Sequence, residues 1–216
     1  MSVLVTGVAG FVGSQVARAL LARGEQVVGI DNFSPYYDPI LKFARLKPLR
    51  EDKGFTFIEG DISDRETMLP LAASHGHIDR IVHLAAQPGV RESVKDPYIY
   101  VQTNVMGHLV MVELARRLPG LKHFVYASSS SVYGGNRKLP FAIGDRVDHP
   151  VSVYAATKRA GELLVETYVH LHKLHATGLR YFTVYGPWGR PDMAPYIFAK
   201  AIHEGSTIKL FHLGFA

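Results

Sequence analysis

Short β-branched runs alternate with longer helical stretches along most of this chain of 216 residues. Between the runs, apolar residues recur at helical spacing, for example at Val101, Val105, Leu109 and Val112. A strand, a helix and a second strand in this order form a parallel pair with a right-handed crossover. The alternation therefore predicts a doubly wound parallel α/β sheet with helices on both faces, which is a three-layer sandwich.

The same pattern predicts where the individual elements lie. We expect strands over residues 3–5, 26–30, 55–59, 80–84, 122–127 and 177–182, and helices over residues 11–23, 98–118 and 154–172. Residues 31–54 and 134–153 are rich in Pro, Asp and Gly, and we expect them to be long functional loops. Beyond Gly186 the pattern weakens, with one more helix expected over 194–204 and a last strand over 207–211.

The composition excludes several classes of protein. Apolar residues make up 47% of the chain and charged residues 20%, which is ordinary for a globular domain. The chain contains no cysteine, so a disulfide scaffold, a thiolate metal site and a cysteine nucleophile are excluded. No apolar run approaches the ~18 residues of a membrane span, and no secretory leader pattern opens the sequence, so we expect a cytoplasmic protein.

A formal net charge of +5 favours anionic ligands such as nucleic acids or phosphorylated metabolites. The basic residues are densest between Lys42 and Lys53, where interleaved apolar residues are typical of an exposed basic face on an amphipathic segment. The sequence lacks the patterns of zinc fingers and RNA-recognition domains, so we expect no nucleic-acid partner. His170, His172 and His175 indicate favourable charge at a helix C-terminus rather than a metal site.

A glycine-rich turn, TGVAGFVG, follows the first predicted strand and opens the first predicted helix. Gly7 would end the strand in a tight turn, Gly10 would let a pyrophosphate approach the backbone, and Gly13 would let the helix lie on the sheet. The unpaired N–H groups of the helix N-terminus would then face the phosphates. Asp31 follows the second predicted strand, where a carboxylate accepts hydrogen bonds from a ribose 2′-hydroxyl and repels a 2′-phosphate. These features predict a dinucleotide site that favours NAD over NADP.

Tyr154 and Lys158 lie one helical turn apart on one face of a predicted helix. A free tyrosine, with a pKa of about 10, is a poor base at neutral pH. The Lys158 ammonium and the positive nicotinamide ring of bound NAD⁺ would both favour the phenolate. Four serines, Ser128 to Ser131, end the fifth predicted strand and would place hydroxyl groups beside the tyrosine. This combination predicts a tyrosine that exchanges a proton with a substrate hydroxyl.

Together these motifs resemble the extended short-chain dehydrogenase/reductase family. The resemblance rests on the glycine turn, Asp31-Asn32 and the segments HLAAQ, SSSSVYG, YAATK and RYFTVYGPWGRPDM. Within the family the chain is most similar to the nucleotide-sugar epimerases, and among them to the UDP-glucuronate 4-epimerases. The resemblance implies a Rossmann-type fold with a much reduced substrate-binding subdomain. Residues 1–185 would form the NAD-binding domain with the catalytic residues, and residues 186–216 a remnant of the substrate-binding subdomain.

The resemblance also implies a reaction and the roles of individual residues. Tyr154 would take the proton of the sugar 4-hydroxyl while NAD⁺ takes the C4 hydride, and the 4-keto sugar would rotate and recover the hydride on its other face. The implied catalytic residues are Ser129, Tyr154 and Lys158. The implied NAD-binding residues are Gly7, Gly10, Phe11, Val12, Gly13, Asp31, Asn32, Asp61, Ile62, Leu84, Ala85, Ala86, Gln87, Asn104, Tyr154, Lys158 and Tyr181. The implied substrate-side residues are Ser130, Ser131, Thr183 and Arg190, and Arg190 is suited to a uronate carboxylate.

The motifs are compatible with more than one sugar substrate, and also with a protein that binds NAD without catalysing a reaction. We expect UDP-glucuronate as substrate, with UDP-glucose and UDP-galactose as the alternative pair and an NAD-binding protein without turnover as the alternative class. Ser131 occupies a position where related dehydratases carry a glutamate, which favours epimerisation over elimination. Relatives continue beyond the end of this sequence, and Pro88 and Glu92 depart from their usual residues, so we expect weak substrate affinity. The family's mode of dimerisation implies a homodimer through the helices near Pro97 and Tyr154.

Overall fold

The computed structural model describes residues 1–208, and six strands of that part form one parallel sheet. The strands are β1 (Ser2–Thr6), β2 (Gln26–Asp31), β3 (Phe55–Glu59), β4 (Arg80–His83), β5 (His123–Ser129) and β6 (Ala176–Tyr181). They pair side by side in the order β3-β2-β1-β4-β5-β6. The chain winds outward from β1 in both directions, so the order reverses between β1 and β4. This arrangement confirms the doubly wound parallel sheet predicted from the alternation.

Helices cover both faces of the sheet. In chain order they are α1 (Phe11–Ala22), α2 (Pro39–Arg50), α3 (Arg65–Met68), α4 (Leu71–Ser74), α5 (Glu92–Lys95), α6 (Pro97–Val101), α7 (His108–Arg117), α8 (Val153–His172) and α9 (Ala194–Glu204). A π-helical turn, Gln102–Gly107, joins α6 to α7, and a 3₁₀ turn, Ser130–Tyr133, follows β5. None of the helices described over residues 1–208 is long and apolar enough to cross a membrane.

Alternate residues of the central strand face two separate layers of the core. Leu4 of β1 packs with Phe124 of β5 and with Met111 and Leu114 of α7 on one face. Val3 and Val5 point to the opposite face, where the core is completed by the side chains Ala17, Leu46 and Leu49 from α1 and α2. This alternation follows from the two-residue period of a strand. Both layers lie on the faces of the sheet, so the loops at the carboxyl ends of the strands are free to form a cleft.

The structure differs from the sequence prediction in residues 31–54, which contain the helix α2 rather than a continuous loop. Asp38 caps this helix by accepting a hydrogen bond from the Ile40 backbone N–H at 2.9 Å. The basic side chains of α2 are not all on an exposed face either, because Lys42 is only 7% exposed and Arg45 only 2%. The exposed-face interpretation of this segment was therefore wrong for these two residues. Lys42 pairs with the buried Asp31, and Arg45 donates hydrogen bonds to backbone carbonyls and to the Tyr37 hydroxyl.

Smaller differences lie at other places in the chain. The helix predicted over 98–118 is divided by the π-helical turn, and the short helices α3, α4 and α5 gave no recognisable pattern. The helix expected over 194–204 is present as α9. Of the strand expected over 207–211, Thr207 and Ile208 are not in a strand, and residues 209–211 lie outside the described residues.

Candidate active site

The glycine turn forms a close-fitting cradle between β1 and α1. Gly7 has a φ of +69°, and a Cβ at this position would lie 2.8 Å from the Ala85 backbone nitrogen. A Cβ on Gly13 would collide with the Gly7 carbonyl oxygen, so only glycine lets α1 approach the turn. Gly10 is the N-cap of α1, and it has no side chain to cover the first-turn N–H groups, which begin at Phe11. The turn can therefore receive an anionic group such as a pyrophosphate.

Acidic and amide side chains continue this edge across β2 and β3. Asp31 is buried, with its two carboxylate oxygens accepting from the Ala9 and Phe33 backbone N–H groups at 3.0 and 2.9 Å. Lys42 lies 3.8 Å from one of these oxygens. Asn32 donates to Asp61 at 2.8 Å, which joins the ends of β2 and β3.

Hydrogen bonds also fix the protonation state of Asp61. Burial raises the pKa of the Asp61 carboxyl, but hydrogen bonds from Ser63 and Asn32 outweigh it and hold that pKa below its usual value. Ser63 donates both its backbone N–H and its hydroxyl to the same carboxylate oxygen, at 2.8 and 2.7 Å. Asp61 therefore presents an ionised carboxylate at this end of the cleft, beside the buried Ile62.

The end of β4 is anchored by the side chain of Asn104. Its amide oxygen accepts from the Gln87 backbone N–H at 2.7 Å, and its amide nitrogen donates to the Gln87 carbonyl at 3.0 Å. The same nitrogen donates to the Thr157 hydroxyl of α8 at 3.2 Å. The amide is thus fully occupied within the protein. It holds the segment from Leu84 to Gln87 against the helix that carries Tyr154.

The position of Tyr154 is set by the start of α8. Ser152 is the N-cap of this helix and accepts from the Ala155 backbone N–H at 3.1 Å, so the helix begins at a defined residue. One turn further on, the Lys158 ammonium donates to the Ala127 carbonyl of β5 at 3.0 Å. These contacts place Tyr154 beside the serines that end β5.

A second anchor of α8 lies one turn beyond Lys158. The Glu162 carboxylate accepts from the Ser128 hydroxyl at 2.6 Å and from two nitrogens of Arg180 at 2.8 and 2.9 Å. Arg159 adds a third cationic contact at 3.0 Å. Burial opposes ionisation of Glu162, but these contacts lower its pKa overall. The network joins α8 to the ends of both β5 and β6.

The electrostatics of Tyr154 differ from the sequence prediction. Burial raises the pKa of the phenol above its usual value, while the Ser129 hydroxyl and the Arg190 guanidinium act to lower it. The ammonium of Lys158 lies 6.0 Å from the centre of the Tyr154 ring. Burial lowers the pKa of Lys158 to about 8. The protein groups alone therefore do not bring the phenol to a pKa near 7.

Arg190 lies in the loop after β6, close enough to Tyr154 for its charge to lower the pKa of the phenol. It donates two hydrogen bonds to Asp192, at 3.0 and 2.5 Å. Asp192 also accepts from the Tyr36 hydroxyl at 3.2 Å, and the guanidinium lies 5.7 Å from the centre of the Tyr36 ring. Burial lowers the pKa of Arg190, but the Asp192 contacts raise it overall, so the guanidinium remains charged. A uronate carboxylate would have to share this cation with Asp192.

Two buried histidines, His83 and His108, lie close to Lys158 of α8. Burial lowers the pKa of His83 well below its usual value and that of His108 to about 3, with the nearby Lys158 charge acting in the same direction. For His108, a weaker contribution from the Gly161 backbone opposes this. The two rings lie 5.1 Å apart, and both line a small cavity together with Lys158 and Asn104. Both imidazoles are therefore neutral, and His83 is a buried residue of the core.

The structure brings nearly all of the predicted site residues to one edge of the sheet, at the carboxyl ends of the strands. Phe11, Val12, Ala85 and Ala86 line the glycine turn and the end of β4. Tyr181 pairs with Ser129 across β5 and β6, and burial raises its pKa. The more peripheral predicted residues are Ser130 and Ser131, which lie in the 3₁₀ turn, and Thr183, which is exposed.

Several residues that shape this site were not found from the sequence. Tyr100 lies edge-on to Tyr154, with ring centres 6.3 Å apart, and donates to the Pro88 carbonyl at 2.6 Å. Tyr36, Arg45 and Asp192 form the wall around Arg190. Their contacts join segments far apart in the chain, so no local pattern could have revealed them. No group of three His, Asp or Glu side chains that could hold a metal ion occurs over residues 1–208.

A doubly wound sheet with a glycine cradle, an acidic residue after β2 and a Tyr–Lys pair on α8 is the arrangement of the short-chain dehydrogenase/reductase class of proteins. The family model described as "NAD dependent epimerase/dehydratase family" matches residues 3–215. The chain belongs to this family.

Individual relatives agree with this assignment. The chain is 50% identical to UDP-glucuronate 4-epimerase 4 of Arabidopsis thaliana, over 98% of this chain and 48% of that protein. It is similar to the crystal structure of UDP-glucuronic acid 4-epimerase from Bacillus cereus in complex with UDP-glucuronic acid and NAD. That match has a TM-score of 0.90 and 38% identity, over 99% of this chain and 67% of that one. UDP-glucose 4-epimerase from Thermotoga maritima, with UDP-glucose, matches with a TM-score of 0.88 and 32% identity, over 99% of this chain and 67% of that one. The chain spans about half the length of its Arabidopsis relative.

Proposed function

We propose that this chain carries the NAD-binding and catalytic part of a UDP-sugar 4-epimerase whose substrate is UDP-glucuronate. The single observation that supports this most strongly is the convergence of three groups on Tyr154: the Lys158 ammonium lies 6.0 Å from its ring centre, and the Ser129 hydroxyl and the Arg190 guanidinium both act to lower the pKa of its phenol. The relatives named as UDP-glucuronate 4-epimerases support the choice of sugar. We propose residues 1–185 as the cofactor-binding and catalytic part and residues 186–216 as part of the sugar-binding region.

The residues of the cleft fit NAD. The cradle at Gly7 and Gly13 would be filled by any Cβ, which is the requirement for close approach of a pyrophosphate. The buried carboxylate of Asp31 lies where a ribose diol would donate hydrogen bonds. We propose that the adenine end lies near Asp61 and that the nicotinamide end lies near Lys158 and Tyr181. Bound NAD⁺ would supply the hydride acceptor and a positive charge close to the phenol.

In this proposal Tyr154 holds and returns one proton. Its phenolate oxygen accepts the proton of the sugar 4-hydroxyl and gives it back after the sugar has rotated. Ser129 donates a hydrogen bond to the phenolate, which favours the charged form. Lys158 adds a buried positive charge, held in place by the Ala127 carbonyl. The net reaction consumes no proton, because Tyr154 is a phenolate both at the start and at the end of the cycle.

The alternative sugar pair, UDP-glucose and UDP-galactose, is favoured by one observation. The Arg190 guanidinium is paired with Asp192 through two hydrogen bonds, so the substrate side of the cleft carries a balanced charge. A neutral hexose would not compete with Asp192 for this cation. The Thermotoga relative named as a UDP-glucose 4-epimerase supports this second candidate.

We also propose that the chain forms a homodimer through α6 and α8. The two helices pack against each other, and apolar side chains lie exposed on them: Tyr98 and Val101 on α6, and Leu163 and Leu171 on α8. Burial of such a patch in a two-fold interface would remove apolar surface from water. Sedimentation or light scattering would show whether the mass in solution is that of two chains.

Product analysis tests the proposed activity. The purified chain is incubated with NAD⁺ and separately with UDP-glucuronate and UDP-glucose, and the products are separated by liquid chromatography and identified by NMR. We expect the 4-epimer of UDP-glucuronate. A 4-epimer of UDP-glucose alone would establish the second candidate, whereas a 4,6-unsaturated or 4-keto-6-deoxy sugar would contradict both. Binding of NAD⁺ without any sugar product would establish the alternative class, a dinucleotide-binding protein without turnover.

A further inference from the structure

Arg45 is a buried arginine on the cofactor side of the cleft whose contacts reach across to the loop after β6. Its guanidinium donates to the Trp188 carbonyl through two nitrogens, at 2.7 and 3.2 Å, and to the Gly189 carbonyl at 3.4 Å. It also donates to the Tyr37 hydroxyl at 2.6 Å and to the Ala9 carbonyl in the glycine turn at 3.4 Å. Only 2% of this side chain is exposed. A single cation thus joins the nucleotide turn to a loop that follows it by more than a hundred residues in the chain.

The carbonyls that Arg45 binds immediately precede Arg190. Trp188 has a φ of +68°, a left-handed conformation that a large side chain rarely adopts. Such a conformation persists when neighbouring contacts determine it, and the Arg45 hydrogen bonds to the Trp188 and Gly189 carbonyls are contacts of this kind. The backbone path that presents Arg190 to the cleft therefore depends on Arg45.

A second contact from the same side acts on the Arg190 side chain itself. Tyr36, which precedes α2, donates to Asp192, and Asp192 holds the Arg190 guanidinium through two hydrogen bonds. The Arg190 guanidinium also lies over the Tyr36 ring, 5.7 Å from its centre. The segment from Tyr36 to Arg45 thus fixes both the backbone and the side chain of the arginine that faces the sugar.

We propose that Arg45 is a positioning residue that docks the loop of residues 186–193 onto the cofactor-binding half, and thereby sets the selectivity of the cleft for a negatively charged sugar. The docking follows from the contacts of Arg45 alone. The effect on selectivity rests on the proposed function, in which Arg190 faces the sugar. Arg45 belongs to α2 and does not itself face the sugar. In this proposal it controls which sugar is bound because it positions the loop that carries Arg190.

Trp188 provides a probe of the docking that does not depend on activity. It is the only tryptophan in the chain, so the intrinsic emission reports on this loop. Arg45→Lys keeps the charge but replaces the three separate nitrogens that reach the Trp188, Gly189 and Ala9 carbonyls with a single one, so the planar fork of donors is lost. Lys47→Met, at an exposed position of the same helix, is the matched control. We expect a red shift of the emission and stronger acrylamide quenching in Arg45→Lys, and wild-type behaviour in Lys47→Met.

Tyr37→Phe keeps the test decisive if Arg45→Lys does not fold, as judged by far-UV circular dichroism. This variant removes only the hydroxyl that accepts from Arg45 at 2.6 Å. It should give a smaller change of the same sign. Unchanged emission and quenching in the folded Arg45→Lys protein, or in Tyr37→Phe if only that variant folds, would overturn the docking role.

The selectivity is measured separately by calorimetry at saturating NAD⁺. We expect the ratio of affinities for UDP-glucuronate and UDP-glucose to fall about tenfold in Arg45→Lys, because Arg190 is no longer held in place. An unchanged ratio in a protein with altered Trp188 emission would leave Arg45 as a docking residue and overturn its effect on selectivity. A wild-type chain that binds NAD⁺ but neither sugar would contradict the proposed function and, with it, the selectivity. The fluorescence result would still show whether Arg45 docks the loop of residues 186–193.

Discussion

The Lys158 ammonium donates a hydrogen bond to the Ala127 carbonyl oxygen, 3.0 Å away, at the end of β5. The bond fixes a buried positive charge on the sheet side of α8, beside the serine-rich turn. The distance from this ammonium to the Tyr154 ring centre, 6.0 Å, is therefore determined by how α8 lies on the sheet. The contacts of α8 should accordingly affect both stability and reaction.

Tyr154→Phe should lower the epimerisation rate by about 10²–10⁴-fold, because the phenyl ring cannot accept or return a proton. NAD⁺ affinity should change little, since the ring and its packing remain. Tyr168→Phe is the matched control, because Tyr168 lies on the same helix as Tyr154 and its hydroxyl donates to Glu113 of α7. The measurement is the rate of product formation at saturating NAD⁺. Equal rates in the two variants would show that Tyr154 takes no part in the proton transfer.

Lys158→Met should stabilise the protein at neutral pH, and the gain should shrink at high pH. The folded-state pKa of Lys158 is lowered to about 8 from an ordinary value of 10.5, so burying its charge costs stability fully below about pH 8. The penalty disappears as the pH rises toward 10.5. We expect a gain on the order of 1–3 kcal/mol in urea unfolding at pH 7 and little gain at pH 10.5. A gain that is the same at both pH values would contradict a buried ammonium.

Gly13→Ala should abolish NAD⁺ binding, because the added methyl group collides with the Gly7 carbonyl oxygen and displaces the start of α1. Gly24→Ala is a suitable control at the other end of α1. Gly24 has a φ of +77°, but a Cβ there meets no atom within 4 Å among the described residues, so the change should cost only about 1 kcal/mol of stability. Binding is measured by calorimetry on folded protein. Normal NAD⁺ affinity in a folded Gly13→Ala protein would exclude the glycine turn as the pyrophosphate site.

Asp31→Asn should weaken the preference for NAD over NADP by about tenfold or more, since it removes the charge that attracts ribose hydroxyls and repels a 2′-phosphate. Lys42, 3.8 Å from the carboxylate, would then be free to attract that phosphate. Asp38→Asn is the control, because asparagine caps α2 as well as aspartate does. The readout is the ratio of dissociation constants for the two dinucleotides. An unchanged ratio would remove Asp31 from the cofactor site.

His108→Gln should make the protein more resistant to acid. The pKa of His108 is lowered to about 3 from an ordinary 6.5, so the unfolded chain binds more protons and stability falls as the pH drops from about 6.5 toward 3. The glutamine variant lacks this titration. We expect the wild type to lose on the order of 3 kcal/mol more than the variant between pH 7 and pH 4.5, measured by urea unfolding. The prediction fails if both proteins lose stability in parallel.

The fold was predictable from sequence, and so was the gathering of the candidate cofactor residues at one edge of the sheet, because local patterns encode both. Gly7, Gly10 and Gly13 lie at fixed offsets within one strand–turn–helix unit, and Asp31 follows the next strand directly. The Tyr154–Lys158 spacing is equally local. Parallel strands then bring all of these residues to one edge without further information.

The substrate side was not predictable in the same way. The hydrophobic pattern of α2 gave no reason to bury Lys42 and Arg45, because the Arg45 charge is satisfied by carbonyls 143 and 144 positions away. The pairing of Arg190 with Asp192 depends on a loop path that Arg45 and Tyr36 determine. The pKa of Tyr154 also departs from expectation, because burial of the phenol opposes the effect of nearby cations.

Asn104 joins the segment after β4 to α8, the helix that carries Tyr154, through hydrogen bonds to Gln87 and Thr157. Under the proposed function, the distance between the dinucleotide and Tyr154 would depend on this one side chain. Under the proposed function, a change of sugar specificity would act through the loop that carries Arg190 and its anchor Arg45, without altering that distance.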